Sequence, residues 1–219
     1  MRKPAPRKFG LAALAVSALS GMLFTANASA DAYYEVTVYN ITKGLTFTPA
    51  LVASTKKGDR FFASGYPASA GLETLAESGN PGPLAASLDS YDSAMLGFIG
   101  PGGHDTTVVA TKGAFTGVSI ASMAIPTNDT FWAVNGVDGP RGNKTISMTV
   151  VAYDSGTEIN DELCISLPGP GCGGDPGPAS AGEGYVYVSN GIRGVGDLDA
   201  DLLDWRNPVA RITITRFED

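Results

Sequence analysis

The sequence predicts an all-β fold, an antiparallel two-sheet β-sandwich with a short helical insertion. Segments rich in Val, Ile, Thr and Tyr follow one another with no helix between most of them, which argues for antiparallel pairing in two packed layers. The breaks between them are dense in glycine and proline, 28 and 14 residues of the chain, as many short strands joined by turns require. Only residues 68–90 space their apolar side chains as a helix does.

In chain order, YYEVTVYNIT (33–42) sets Tyr34, Val36 and Val38 on one face and Glu35, Thr37 and Tyr39 on the other, the alternation of a half-buried strand. LTFTPALVAS (45–54) is strand-like, with Pro49 marking an edge or a bulge because proline gives the ladder no N–H. Leu72, Leu75 and Ala76, then Leu84, Ala85 and Leu88, recur at helical spacing on either side of Asn80-Pro81-Gly82, so two short helices are expected. GFIGPGG (97–103) is loop. DTTVVAT, FTGVSIASMAI, KTISMTVVAY, GYVYVSN and PVARITITRF bring the expected strands to seven or eight. SLPGPGCGGDPGPASAGEG (166–184) is a long Gly- and Pro-rich loop, of the kind that carries function or is merely mobile.

The first thirty residues have the parts of a secretory signal: a basic head, MRKPAPRK, an apolar run, LAALAVSALSGMLF, and Ala28-Ser29-Ala30 as a cleavage site. The apolar run falls short of the roughly twenty residues that span a bilayer. Residues 31–219 are then expected to be one exported domain without a transmembrane segment, secreted or periplasmic, large enough to bury roughly 70% of its unfolded surface. Arg2, Lys3, Arg7 and Lys8 leave with the leader, so 15 basic residues become 11 against 22 acidic ones, a formal net charge of −11. That balance argues against nucleic acid and anionic membranes as partners, both of which reward Lys and Arg clusters, and favours cations or basic partners. Cys164 and Cys172, the only cysteines, are expected to form a disulfide in an oxidising compartment. A thiolate metal site lacks partners, because His104 is the only histidine and lies far away in sequence.

No nucleophile elbow, phosphate-binding glycine loop or H-E-x-x-H motif is present, and His104 in GPGGHDTT is a lone candidate base, so no enzyme activity is expected. Two acidic clusters remain. In GDLDADLLDW, Asp197, Asp199, Asp201 and Asp204 resemble the start of an EF-hand loop. Leu202 stands where that loop needs Gly, and Pro208 where it needs Glu, which leaves a solvated acidic turn or an irregular cation loop. In YDSGTEINDELC, Asp154, Glu158, Asp161 and Glu162 crowd one turn. Ser155-Gly156-Thr157-Glu158 fits a helix capping box with Ile159 and Leu163 at helical spacing; alternatively a tight turn brings Asp154 and Glu158 together around a cation. Two unneutralised carboxylates at about 4 Å repel by about 4 kcal/mol at an effective dielectric of 20, so convergence calls for a cation.

YNITKGLTFTPALVAS, AIPTNDTFWAVNG, YDSGTEINDE and DWRNPVARITITR, in that order over about residues 33–217, resemble the bacterial spondin-domain proteins and, more distantly, the N-terminal spondin domain of animal F-spondin and mindin. The resemblance implies a C2-like sandwich that binds a structural Ca²⁺ and serves adhesion outside the cell. Its acidic motif W-D-A-G-T-D is similar to Tyr153–Glu158, which places Asp154 and Glu158 at ligand positions, with Glu158 in place of Asp. Its Asp-Trp motif is similar to Asn128–Trp132, which makes Asp129 the third ligand, although two residues separate it from Trp132. Three carboxylates with backbone carbonyls and water suit Ca²⁺, a hard cation that takes six to eight oxygens. The expected partner is a protein or glycan of the cell surface or matrix, the chain being a monomer. A secreted hydrolase or carbohydrate-active protein on the same frame, or a purely structural envelope protein, are the other readings, since a fold alone does not name a partner.

Overall fold

The computed structural model describes Met1 and residues 32–169, 171–174 and 182–218; the rest of the expected leader and the middle of the long 166–184 loop lie outside the described residues. Strand β1 (Ala32–Asn40) turns Tyr34, Val36 and Val38 inward, as its alternation predicts. It pairs antiparallel with β5 (His104–Thr111) on one side and β11 (Ala210–Glu218) on the other, and β8 (Thr145–Val150) completes a four-stranded sheet in the order β5-β1-β11-β8. The second, seven-stranded sheet contains β2 (Thr46–Phe47), β3 (Leu51–Thr55), β4 (Ser90–Met95), β6 (Gly117–Ile125), β7 (Thr130–Asp138), β9 (Ala152–Asp154) and β10 (Tyr187–Val188). Its order is β10-β9-β7-β6-β3-β4, with β2 paired onto β6. The protein is an all-β sandwich of two antiparallel sheets with a short helical insertion.

Apolar side chains build two cores. Val36, Val38, Val52, Ile120, Trp132, Ile212 and Ile214 fill the space between the sheets, with Phe47 against Trp132 at 5.0 Å between ring centroids. On the outer face of the larger sheet, α1 (Ala70–Ser78) and α2 (Gly82–Ser87) lay Leu72, Leu75, Ala76 and Leu84 against Leu51, Ala53, Ala121, Phe131 and Ala133. Strands β3 and β6 are therefore buried on both faces, and burial runs through every residue of each. Ser69 caps α1 by accepting the Leu72 N–H, and Gly79 ends it in the left-handed conformation at φ 69°.

Several features depart from the sequence expectation. LTFTPALVAS is two strands split around Pro49, and KTISMTVVAY is two strands in different sheets, since the chain crosses from the small sheet to the large one at Val151. Strands β4 and β7 were not expected: β4 is polar along its length, and the apolar core of β7 is flanked by Pro, Asn and Asp before it and Asn and Gly within it. The 200–203 segment is a short helix, α3 (Ala200–Leu203), where an acidic turn was expected. No helix begins at Ser155. Gly156 takes φ 69° with the Tyr185 backbone packed where a Cβ would sit, and Glu162 takes φ 57°, so the capping-box alternative is corrected to an irregular loop. Cys164 and Cys172 are joined by a disulfide, their Cα atoms 4.6 Å apart. Among the described residues no helix is long and apolar enough to cross a membrane.

Candidate carboxylate site

The site lies where β7 begins and β9 ends. The antiparallel register sets Thr130 opposite Asp154, so the loop entering β7, which carries Asp129, runs beside the loop leaving β9, which carries Ser155 to Glu158. The Asp129 carbonyl accepts the Ser155 N–H at 3.2 Å. One carboxylate oxygen of Asp129, Oδ2, accepts the Thr157 N–H at 2.8 Å, the Glu158 N–H at 3.1 Å and the Ser155 hydroxyl at 2.9 Å. A side chain from a distant loop thus folds the acidic motif around itself, and Asn128 continues the clamp by accepting the Glu162 N–H and donating to Asp161.

All three expected ligands are interior: Asp129 is 0%, Asp154 2% and Glu158 1% exposed. Their circumstances differ. Asp154 accepts the Gly156 N–H at 2.9 Å and the Asn160 amide at 2.8 Å, and it floors a polar cavity of about 320 Å³ that Asn160, Glu183, Tyr187, Asn190 and Arg193 also line. The Asn160 amide donates to the Tyr187 hydroxyl as well. By contrast Asp129 Oδ1 and both Glu158 oxygens have no hydrogen-bond partner, and they are three of the four such buried side-chain atoms among the described residues, the fourth being Trp132 Nε1. An unpartnered buried polar group costs about 1–3 kcal/mol, more when charged, so three in one spot call for an explanation.

The electrostatics agree with the geometry. Burial, then Glu77 of α1 and Asp129, push the Glu158 carboxyl up to about 8, opposed by the Asn128 side chain, which lies beside it without hydrogen-bonding geometry. Burial and then Asp129 raise Asp154 to about 7 against its hydrogen bonds from Asn160 and Gly156. Burial and the Asp154 charge raise the Tyr187 hydroxyl. No neighbouring lysine or arginine is among the causes of either carboxyl shift.

Comparison with protein-family models and with curated proteins finds no match.

The other sequence candidates have partners of their own, although Asp161 also lines the Asp154 cavity and pushes the Glu158 carboxyl upward. His104 opens β5, exposed and stacked on Tyr39 at 5.2 Å between centroids. Asp161 accepts from Asn128 and from the Leu163 N–H, and Glu162 accepts the N–H groups of Arg193 and Val195. In the second cluster Asp199 caps α3, Asp197 holds the Cys164 N–H, and Asp204 pairs with Arg206 at 2.9 Å. Glu77 went unnoticed in the sequence, because a glutamate on a helix beside an apolar stripe is ordinarily a solvated surface residue. As they stand, no three acidic, histidine or cysteine side chains among the described residues are close enough to hold an ion between them.

Proposed function

We propose that this chain is a calcium-binding β-sandwich of the spondin kind that acts outside the cytoplasm as an adhesion or recognition module. The observation that carries the calcium part is the set of three orphaned oxygens, Asp129 Oδ1 and Glu158 Oε1 and Oε2, buried together with no counter-charge. The donors fit a hard cation: all are carboxylate oxygens, Asp154 retains free lone pairs beyond its two hydrogen bonds, and the Ser155 and Thr157 hydroxyls are at hand. Calcium supplies positive charge there and no bond-making chemistry. The four spondin-like motifs support the module assignment by their order along the chain, and the acidic motif among them is the one that carries Asp154 and Glu158.

The test has two arms. Calcium is titrated into the pure protein by calorimetry, with thermal melts in calcium and in EDTA. Binding and a raised Tm are expected in wild type, and both are expected to be lost in Glu158→Gln. Absence of heat and of any Tm change at millimolar calcium, the range in which extracellular modules work, would remove the calcium assignment. Capture of cell-surface protein or glycan on the immobilised protein, with and without EDTA, tests the recognition role. Capture that ignores EDTA would separate the ion from recognition.

A further inference from the structure

We propose that Glu77, in the last turn of α1, is a fourth carboxylate of the cation site, so that the bound ion fastens the helical insertion to the sandwich. This rests on the calcium reading above and deepens it.

The placement follows from register. Phe131 and Ala133 of β7 face the helices, whereas Trp132 faces the space between the sheets. Asp129, two residues before Phe131, is in phase with the helix-facing side chains. Asp154 is in phase with Ala152, which belongs to the core between the sheets. The site therefore opens toward α1 through Asp129 and Glu158, and Asp154 lies on its far side. Helix α1 ends over the same part of the sheet. Its cap residue Gly79 packs on Thr48, the Thr48 hydroxyl accepts the Met123 N–H at 3.2 Å, and Met123 pairs with Phe131. Two residues before that cap, Glu77 comes to rest beside Thr157, Glu158 and Asp129.

Two independent observations point to a ligand in that space. The unpartnered oxygens belong to Asp129 and Glu158, both almost wholly buried. Helix α1 also carries an acid in its last turn with no basic residue there, the wrong charge for the negative end of a helix dipole unless a cation sits beside it. With Asp129 and Glu158 supplying oxygens from the sheet side, Glu77 supplies the opposite side of a shell that calcium fills with six to eight oxygens. The ion then bridges two packing units, the sandwich and the α1–α2 insertion.

The test compares wild type, Glu77→Gln and Glu73→Gln. Glu73 lies one turn earlier on the same helix and is exposed, so it controls for charge on α1. Calcium affinity is measured by calorimetry, and hydrogen exchange of residues 70–78 and 153–160 is followed with calcium and with EDTA. Glu77→Gln is expected to weaken binding by roughly tenfold or more and to abolish calcium-induced protection of 70–78, while Glu73→Gln matches wild type. A Glu77→Gln melt in EDTA no lower than that of wild type separates lost ligation from lost fold. The proposal is overturned if Glu77→Gln binds calcium as tightly as wild type, or if calcium protects 153–160 in wild type but leaves 70–78 unchanged; in either case the Asp129 and Glu158 site stands. If wild type binds no calcium, the proposal and the calcium reading fall together.

Discussion

Glu158 and Glu162 belong to one loop and are almost equally buried, 1% and 3% exposed, yet their carboxylates are in opposite circumstances. Glu162 accepts the Arg193 N–H at 2.7 Å on one oxygen and the Val195 N–H at 2.9 Å on the other. Its own N–H goes to Asn128 and its carbonyl takes the Asp197 N–H at 2.8 Å, so it staples the 193–197 loop to the 128 and 162 loops. That role is firm enough to hold Glu162 at φ 57°, a left-handed conformation that few non-glycine residues adopt. Both oxygens of Glu158 lack any such donor. Burial and residue type are alike in the two; the inventory of donors separates the structural carboxylate from the one proposed as a cation ligand.

The largest effect expected is at the staple. Glu162→Ala orphans two buried N–H groups and releases the 193–197 loop, and should cost roughly 3–5 kcal/mol in urea unfolding, with and without calcium alike. A loss confined to calcium-loaded protein would instead make Glu162 a ligand and erase the contrast.

Glu158→Gln should behave with the opposite sign. Above about pH 8, where Glu158 is ionised, removing a buried charge that lacks a partner should raise stability in EDTA by about 1–3 kcal/mol and remove the gain that calcium gives wild type. Crossing melts, with the variant higher in EDTA and wild type higher in calcium, identify a ligand. A variant lower in both conditions identifies a second staple.

The pH dependence grades the same contrast. Asp154 and Glu158 hold their protons to about 7 and about 8 in the folded protein, whereas in the unfolded chain they release them near 3.8 and 4.5. Between those limits the folded state binds more protons, so stability must fall as pH rises through the window. The Tm in EDTA is therefore expected to be higher at pH 5 than at pH 8. Calcium needs the deprotonated carboxylates, so the Tm gain it gives should grow over the same interval. A Tm in EDTA that climbs from pH 5 to pH 8 would contradict burial without a counter-charge.

How far the site could be read from the sequence follows from what each residue depends on. The alternation of Tyr34, Val36 and Val38 is a local signal, and the strand it predicts is present. So is the helical spacing of Leu72, Leu75 and Ala76. Strand β7 escaped because its apolar run Phe131–Val134 is short, preceded by Pro, Asn and Asp and broken by Asn135 and Gly136. The approach of Asp129 to Glu158 is set by the β7–β9 register, Thr130 opposite Asp154, and nothing local encodes it. The motif resemblance singled out the same two residues without geometry. Glu77 and Glu162 had no such signal: one looked like helix surface, and the other's donors lie some thirty residues further along the chain.

The smallest effect belongs to the second acidic cluster, which sharpens the comparison from its weak side. Asp199 accepts the Asp201 N–H at 2.8 Å and caps a helix of only four residues, Ala200–Leu203, whose side chains are not buried. Asp204, nearby, has its charge answered by Arg206. The cluster has as many acids as the 153–164 stretch, and its carboxylates are turned to capping, tethering and pairing. Asp199→Ala should therefore lower stability by about 0.5–1 kcal/mol, the usual loss of an exposed N-cap, and leave calcium affinity unchanged. An affinity loss in this variant would mean that acid content alone, rather than unpartnered burial, attracts the ion. The distinction between Glu158 and Glu162 would then lose its meaning.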